Sequence, residues 1–152
     1  MKKIIFLLLI FSSASIFSQV TNEKIKTDIV KNFKLINKYY NDKNDYENIK
    51  LKKYFTEIIF CANCENNVED LLNPHIYRDD FLKNNLKEVI GLLSVTEIKK
   101  SKIYFNQPSN TYQLSYSTAK PNEKTGFEGA SAIIYIRNIN GQYKISGVMT
   151  IP

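Results

Sequence analysis

Cys61-Ala62-Asn63-Cys64 carries the most specific chemistry in the sequence. Two cysteines at this spacing can close a disulfide in an oxidising compartment. Thiol redox enzymes use the same spacing: the first thiolate attacks and the second resolves the mixed disulfide. That chemistry sits where a strand leads into a helix within a β-α-β unit. No such pattern surrounds Cys61 and Cys64. A local structural disulfide is therefore the leading reading and a thiol-redox pair its rival. A zinc site would combine Cys61, Cys64 and His75 with a carboxylate, since tetrahedral zinc takes four ligands, or three and water. His75 is the single histidine and the chain has no third cysteine, so no metal is expected.

His75 and Asp79 lie four residues apart. On a helix the carboxylate could orient the imidazole for proton transfer, which makes them the candidate acid–base pair. Against that use, Asn73-Pro74 marks a helix start, where Asp79 would cap or face water. A serine nucleophile would depend on the same histidine, and no Gly-x-Ser-x-Gly elbow is present. Ten tyrosines are the remaining oddity. Tyr104, Tyr112, Tyr116, Tyr135 and Tyr143 all fall in expected strands, where tyrosine suits a half-buried face. The sharper reading makes them polar handles lining a ligand pocket. The five glycines form neither a phosphate loop nor a dinucleotide pattern, so no cofactor is expected.

These residues must be positioned by two kinds of element. Ile25, Ile29, Phe33, Ile36 and Tyr40 recur at steps of three and four, which predicts a helix from Asn22 to Asn41 ended by turn formers. Asp45 to Phe60 reads as a second helix, broken near Leu51, with a strand as the alternative for Ile58 to Cys61. Val68, Leu71 and Leu72 make a helical turn. Asp79 or Asp80 then caps a helix that lines up Leu82, Leu86, Val89, Ile90 and Leu93. From Ser94 the period becomes two. Strands are expected at about Thr96–Phe105, at Tyr112–Ser117, at Ala130–Asn138 and from Tyr143 to Ile151. The third has apolar residues on both faces, so it should be central and covered on both sides. Asn140-Gly141 is a hairpin signal, because both turn positions need positive φ. Helices at about 22–93 and strands at about 96–151 predict an α+β domain, with N-terminal helices packed on one face of a curved four-stranded antiparallel meander.

Residues 1–18 have the layout of a secretory signal peptide: Lys2-Lys3, the apolar run Ile4–Phe11, then small residues up to Ser18. The run is well short of the roughly 20 residues that span a bilayer. Cleavage would leave Gln19 first and a single domain of residues 19–152, exported to the periplasm or secreted, with no membrane anchor. Without Lys2 and Lys3 the basic residues number 19 against 15 acidic ones, a net charge of +4. The lysines are interleaved with acids and join no stacking motif, which excludes a nucleic-acid partner. An apolar fraction of 43% is enough for a packed core and too high for a disordered chain.

The order of helices followed by a meander resembles the cystatin-like folds, in particular the NTF2-like (SnoaL-like) superfamily. The ending Asn140-Gly141-Gln142-Tyr143-Lys144-Ile145-Ser146-Gly147-Val148 is similar to the last strand of many exported domains of that kind. The resemblance implies a cone whose sheet and helices enclose a pocket. It also implies an open sheet face of the kind that pairs two subunits as a homodimer. Catalytic members carry His/Asp or Asp/Tyr combinations inside the cone, and no such motif maps onto this sequence. The expected function is a non-enzymatic module that binds a small ligand or an envelope protein. The alternatives are a cofactor-free enzyme with isomerase- or dehydratase-like acid–base chemistry, and a thiol-redox accessory protein.

Overall fold

The computed structural model describes residues 22–41, 49–62, 64, 74–93 and 95–151. The expected export signal and the helical turn at Val68, Leu71 and Leu72 lie outside them. Helix α1 (residues 22–41) buries Ile25, Ile29, Phe33 and Ile36, the stripe that the spacing predicts. After it come α2 (Ile49–Lys52), β1 (Phe55–Cys61) and β2 (His75–Tyr77). Then follow α3 (Arg78–Asn84), α4 (Leu86–Val89), a 3-10 turn (Ile90–Leu92) and α5 (Val95–Lys100). The chain closes with β3 (Lys102–Asn106), β4 (Thr111–Ala119), β5 (Ala130–Ile139) and β6 (Gln142–Ile151).

The sheet has six strands in the order β2-β1-β6-β5-β4-β3, not the four expected. β1 runs parallel to β6, and every other neighbouring pair is antiparallel. β1 falls at the end of the segment read as helix, where a strand was the alternative for Ile58 to Cys61, and β2 falls where a helix start was read at Asn73-Pro74. In β1, Thr56, Ile58 and Ile59 are β-branched, which suits a pleated surface better than a helix. Its partner β6 lies some ninety residues away, so Tyr54 O accepts from Ile145 N at 2.8 Å. No local pattern can announce such a pairing. His75–Tyr77 is extended because it pairs with Ile58–Phe60. The helix read from Pro74 therefore begins only at Arg78, with Tyr77 at its N-cap.

The first expected strand also starts later. Val95–Lys100 is helical and buries Ile98, and Ser101 ends it, its hydroxyl donating to Ile98 O at 2.7 Å. The Asn140-Gly141 turn is as the sequence indicates, with φ of 52° and 79°. The expected single face for Tyr143, Ile145, Met149 and Ile151 is broken by a bulge. Tyr135 pairs with Gly147 but Ile136 with Ile145, which leaves Ser146 as the extra residue. Beyond it the parity flips, so Val148 joins Ile145 in the core.

One face of the sheet is covered. Phe55, Ile59, Leu114, Ile134 and Ile136 meet Phe33 and Ile36 of α1 and Phe81 and Leu86 of α3 and α4, all essentially solvent-free. The cleft between Phe33, Ile36, Tyr54, Ile136 and Ile145 has a volume of about 0 Å³. At this point large side chains fill the space between α1 and the sheet. The four-stranded meander β3–β6 that ends the chain is present, but β1 and β2 interrupt the helices that precede it.

Cys61 and Cys64 form a disulfide with a Cα–Cα distance of 5.6 Å. Cys61 N also donates to Pro74 O at 2.7 Å, which ties the bridged end of β1 to the residue before β2. Replacing both cysteines by alanine is expected to cost about 2 kcal/mol, the loop-entropy value for so short a ring. The check is a lower denaturation midpoint at unchanged slope.

Candidate functional site

The other face of the sheet is open, and a row of side chains crosses it. His75 (β2) pairs with Phe60 (β1), which pairs with Gly147 (β6). Gly147 pairs with Tyr135 (β5), Tyr135 with Gln113 (β4), and Gln113 with Tyr104 (β3). Partners in register point to the same face. One residue from each of the six strands thus forms a single line: His75, Phe60, Gly147, Tyr135, Gln113, Tyr104.

Gly147 makes the middle of this row possible. A Cβ there would stand 2.8 Å from Phe60 Cβ and 2.9 Å from Phe60 O, closer than atoms pack. Its absence lets the Phe60 and Tyr135 rings meet edge to face at 5.4 Å. Phe60 also contacts the His75 ring at 5.7 Å and 68°. Edge-to-face pairs of this kind contribute about 0.5–1.5 kcal/mol beyond area burial.

The row lies in a groove of about 520 Å³. Ile58, Phe60, His75 and Tyr135 form an apolar, aromatic half. Asn106, Thr111, Gln113 and Arg137 line the polar half. The polar wall is held by its own hydrogen bonds. Ser109 and Thr111 hydroxyls lie 2.6 Å apart, and Ser109 N donates to Asn106 Oδ1 at 3.3 Å. Ser146, the bulge residue, lies under the groove with its Oγ buried and without a hydrogen-bond partner. Arg137 makes no ion pair among the described residues, and it lies opposite Lys144 in the β5–β6 register. Burial pushes the Tyr135 hydroxyl pKa up, so it stays a neutral donor at physiological pH.

The residues singled out in the sequence divide between the faces. Tyr135 and Tyr104 belong to the open-face row, Tyr104 at its exposed end. Tyr112 and Tyr143 contact each other at 5.7 Å on the helix side, and Tyr116 is buried there. Burial also raises the pKa of Tyr143, which lines a smaller cleft with Asp28, Lys31 and Asn32. His75 and Asp79 do not share a helix face: His75 lies in β2 and Asp79 in α3. The Asp79 carboxylate binds Lys52 Nζ at 2.9 Å and Arg78 Nε at 3.5 Å. The Lys52 hydrogen bond holds the Asp79 pKa below the ordinary carboxylate value. Lys52→Ala is therefore expected to raise it, as read by NMR titration. Because the folded pKa is the lower one, the pair's small contribution is present above the unfolded value and fades as pH falls through the folded one.

Phe60, Gln113, Arg137 and Gly147 were not singled out by sequence. Phe60 sat in a segment read as helix, with the strand that is present as the alternative for Ile58 to Cys61. Gln113 and Arg137 carry no signal until the register lines them up. Among the described residues no group of three or more His, Cys, Asp or Glu side chains is placed to hold a metal. No helix among them is long and apolar enough to cross a membrane.

The fold and the groove define an α+β domain whose mixed sheet is helix-packed on one face and grooved on the other. No family model matches the chain, and no curated protein does. Among solved structures it is similar to a designed NTF2-like protein at 12% identity and a TM-score of 0.40, over 88% of this chain and 99% of that one. It is also similar to a DUF4783 family protein from Bacteroides fragilis at 11% identity and a TM-score of 0.29, over 66% of this chain and 82% of that one.

Proposed function

We propose that the protein is an exported, non-enzymatic binding module whose ligand occupies the groove on the open sheet face. The observation that carries this reading is the groove itself. Its volume of about 520 Å³ falls within the roughly 300–1,000 Å³ of small-ligand sites. It joins an aromatic half to a few convergent polar groups, the composition such sites use. The tripartite layout of residues 1–18 supports the export reading, and the Cys61–Cys64 disulfide suits an oxidising compartment. The binding reading is preferred to acid–base chemistry because Asp79, the partner proposed for His75, is engaged by Lys52 and Arg78. A ligand that binds only the folded state raises its melting temperature. A thermal-shift screen of the purified protein should therefore yield compounds that stabilise it but not a Tyr135→Ala variant. Equal shifts for both proteins would place the site elsewhere. A concentration-dependent dimer that hides Tyr135 and Ile58 would make a second copy of the chain the occupant.

A further inference from the structure

We infer that the groove selects a ligand with a flat apolar body and one anionic group, the anion seated at Arg137 beside its register partner Lys144. The inference rests on the binding role proposed for the groove and names its ligand chemistry. Three observations converge on it.

First, among the described residues the groove is lined by no aspartate or glutamate, and Arg137 is the one permanent cation among them. Second, Arg137 and Lys144 are register partners on neighbouring strands. Like charges placed opposite each other in a sheet repel. Neither joins an ion pair among the described residues, so no described carboxylate within 4 Å offsets that repulsion. A bound anion would turn the repulsive pair into a two-sided clamp, with the Arg137 guanidinium able to make paired hydrogen bonds to a carboxylate. Third, hydrogen-bonding groups gather at the same end of the groove. Asn106, Ser109, Thr111 and Gln113 supply hydroxyls and amides that can hold anion oxygens or the water around them. Away from that end the walls become Ile58, Phe60 and Tyr135, which suit a planar ring rather than a hydrated sugar.

The probes are 2-naphthoate, its uncharged isostere 2-naphthamide, and acetate, titrated into the full protein by calorimetry and by amide chemical shifts. Naphthoate should bind at least about tenfold more tightly than either of the others, a difference of about 1.4 kcal/mol. Raising the salt should narrow the gap, because exposed charges are screened. Arg137→Gln should bring naphthoate down to about the affinity of naphthamide and weaken naphthamide far less. Lys144→Gln should do so in part. Both residues are exposed or half-buried, so the variants should fold, and unchanged melting curves would confirm it. Equal binding of naphthoate and naphthamide, or naphthoate binding that survives Arg137→Gln, overturns the anion preference and leaves the groove as a neutral-ligand site. If none of the probes, and no compound from the thermal-shift screen, perturbs groove amides, the binding role falls, and this inference with it.

Discussion

Phe55→Ala should cost about 3–5 kcal/mol, the usual range for deleting a fully buried phenylalanine. Phe55 opens β1, has no solvent exposure, and packs against Phe81 of α3 at 5.9 Å. It sits where the helix layer, the parallel β1–β6 pairing and the entry to β1 meet. Truncation leaves a cavity that neighbours at 0–1% exposure, such as Phe33, Leu51 and Leu86, can close only by moving backbone. Equilibrium unfolding should show a lower midpoint at unchanged slope. Phe60 lies on the same strand, so ligand binding should weaken along with stability. A loss below about 1 kcal/mol would mean that the site collapses freely and that β1 is not held as described.

The second large effect is expected at Gly147. Gly147→Val places a Cβ against Phe60 Cβ and the Phe60 carbonyl at distances no packed side chain tolerates. One of the obstructing atoms is backbone, so a rotamer change cannot relieve the clash. Strand β1 or β6 must shift, at a cost of about 1–3 kcal/mol. The shift separates the Phe60 and Tyr135 rings, and the γ-methyl groups enter the space above the bulge. Groove binding should fall by more than tenfold even at temperatures where the variant remains folded. Gly91→Ala is the matched control, since a Cβ at Gly91 meets nothing within 4 Å. It should change neither stability nor binding appreciably. A Gly147→Val protein that binds as the parent does would remove the aromatic row from the functional account.

These two sites also show what was legible in the sequence. The stripe Ile25, Ile29, Phe33, Ile36 and the turn Asn140-Gly141 are local patterns, and both are present. β1 and β2 were not legible in the same way. Their stabilising partners are Ile145–Val148 and each other, and β2 has only three residues to display a period. The side of the sheet on which Met149 lies was misassigned for a related reason. One unpaired residue, Ser146, flips the alternation, and alternation alone cannot reveal a bulge.

The candidate site was less visible than the fold. Sequence reasoning placed it where the segment between Cys61 and Asp80 closes over the sheet. Residues 63 and 65–73 of that segment lie outside the described residues; within its described part, His75 lines the open-face groove. His75 and Tyr135 were both noted, for separate reasons, some sixty residues apart. What joins them is a row with one residue per strand, and no spacing rule spans six segments. The nearest thing to a signal was Gly147 within an otherwise regular terminal strand, since an isolated strand glycine often marks a bulge or a close approach of neighbours. Here it marks both.

The claim at the centre of this account is that the open sheet face, and not the helix-covered interior, receives the ligand. Amide chemical-shift mapping with a stabilising ligand tests it most directly. The account predicts perturbations clustered at Phe60, His75, Gln113, Tyr135 and Arg137, with Phe33, Ile36, Phe81 and Leu114 unmoved. Perturbations centred on that second group, with the open-face row silent, would contradict it.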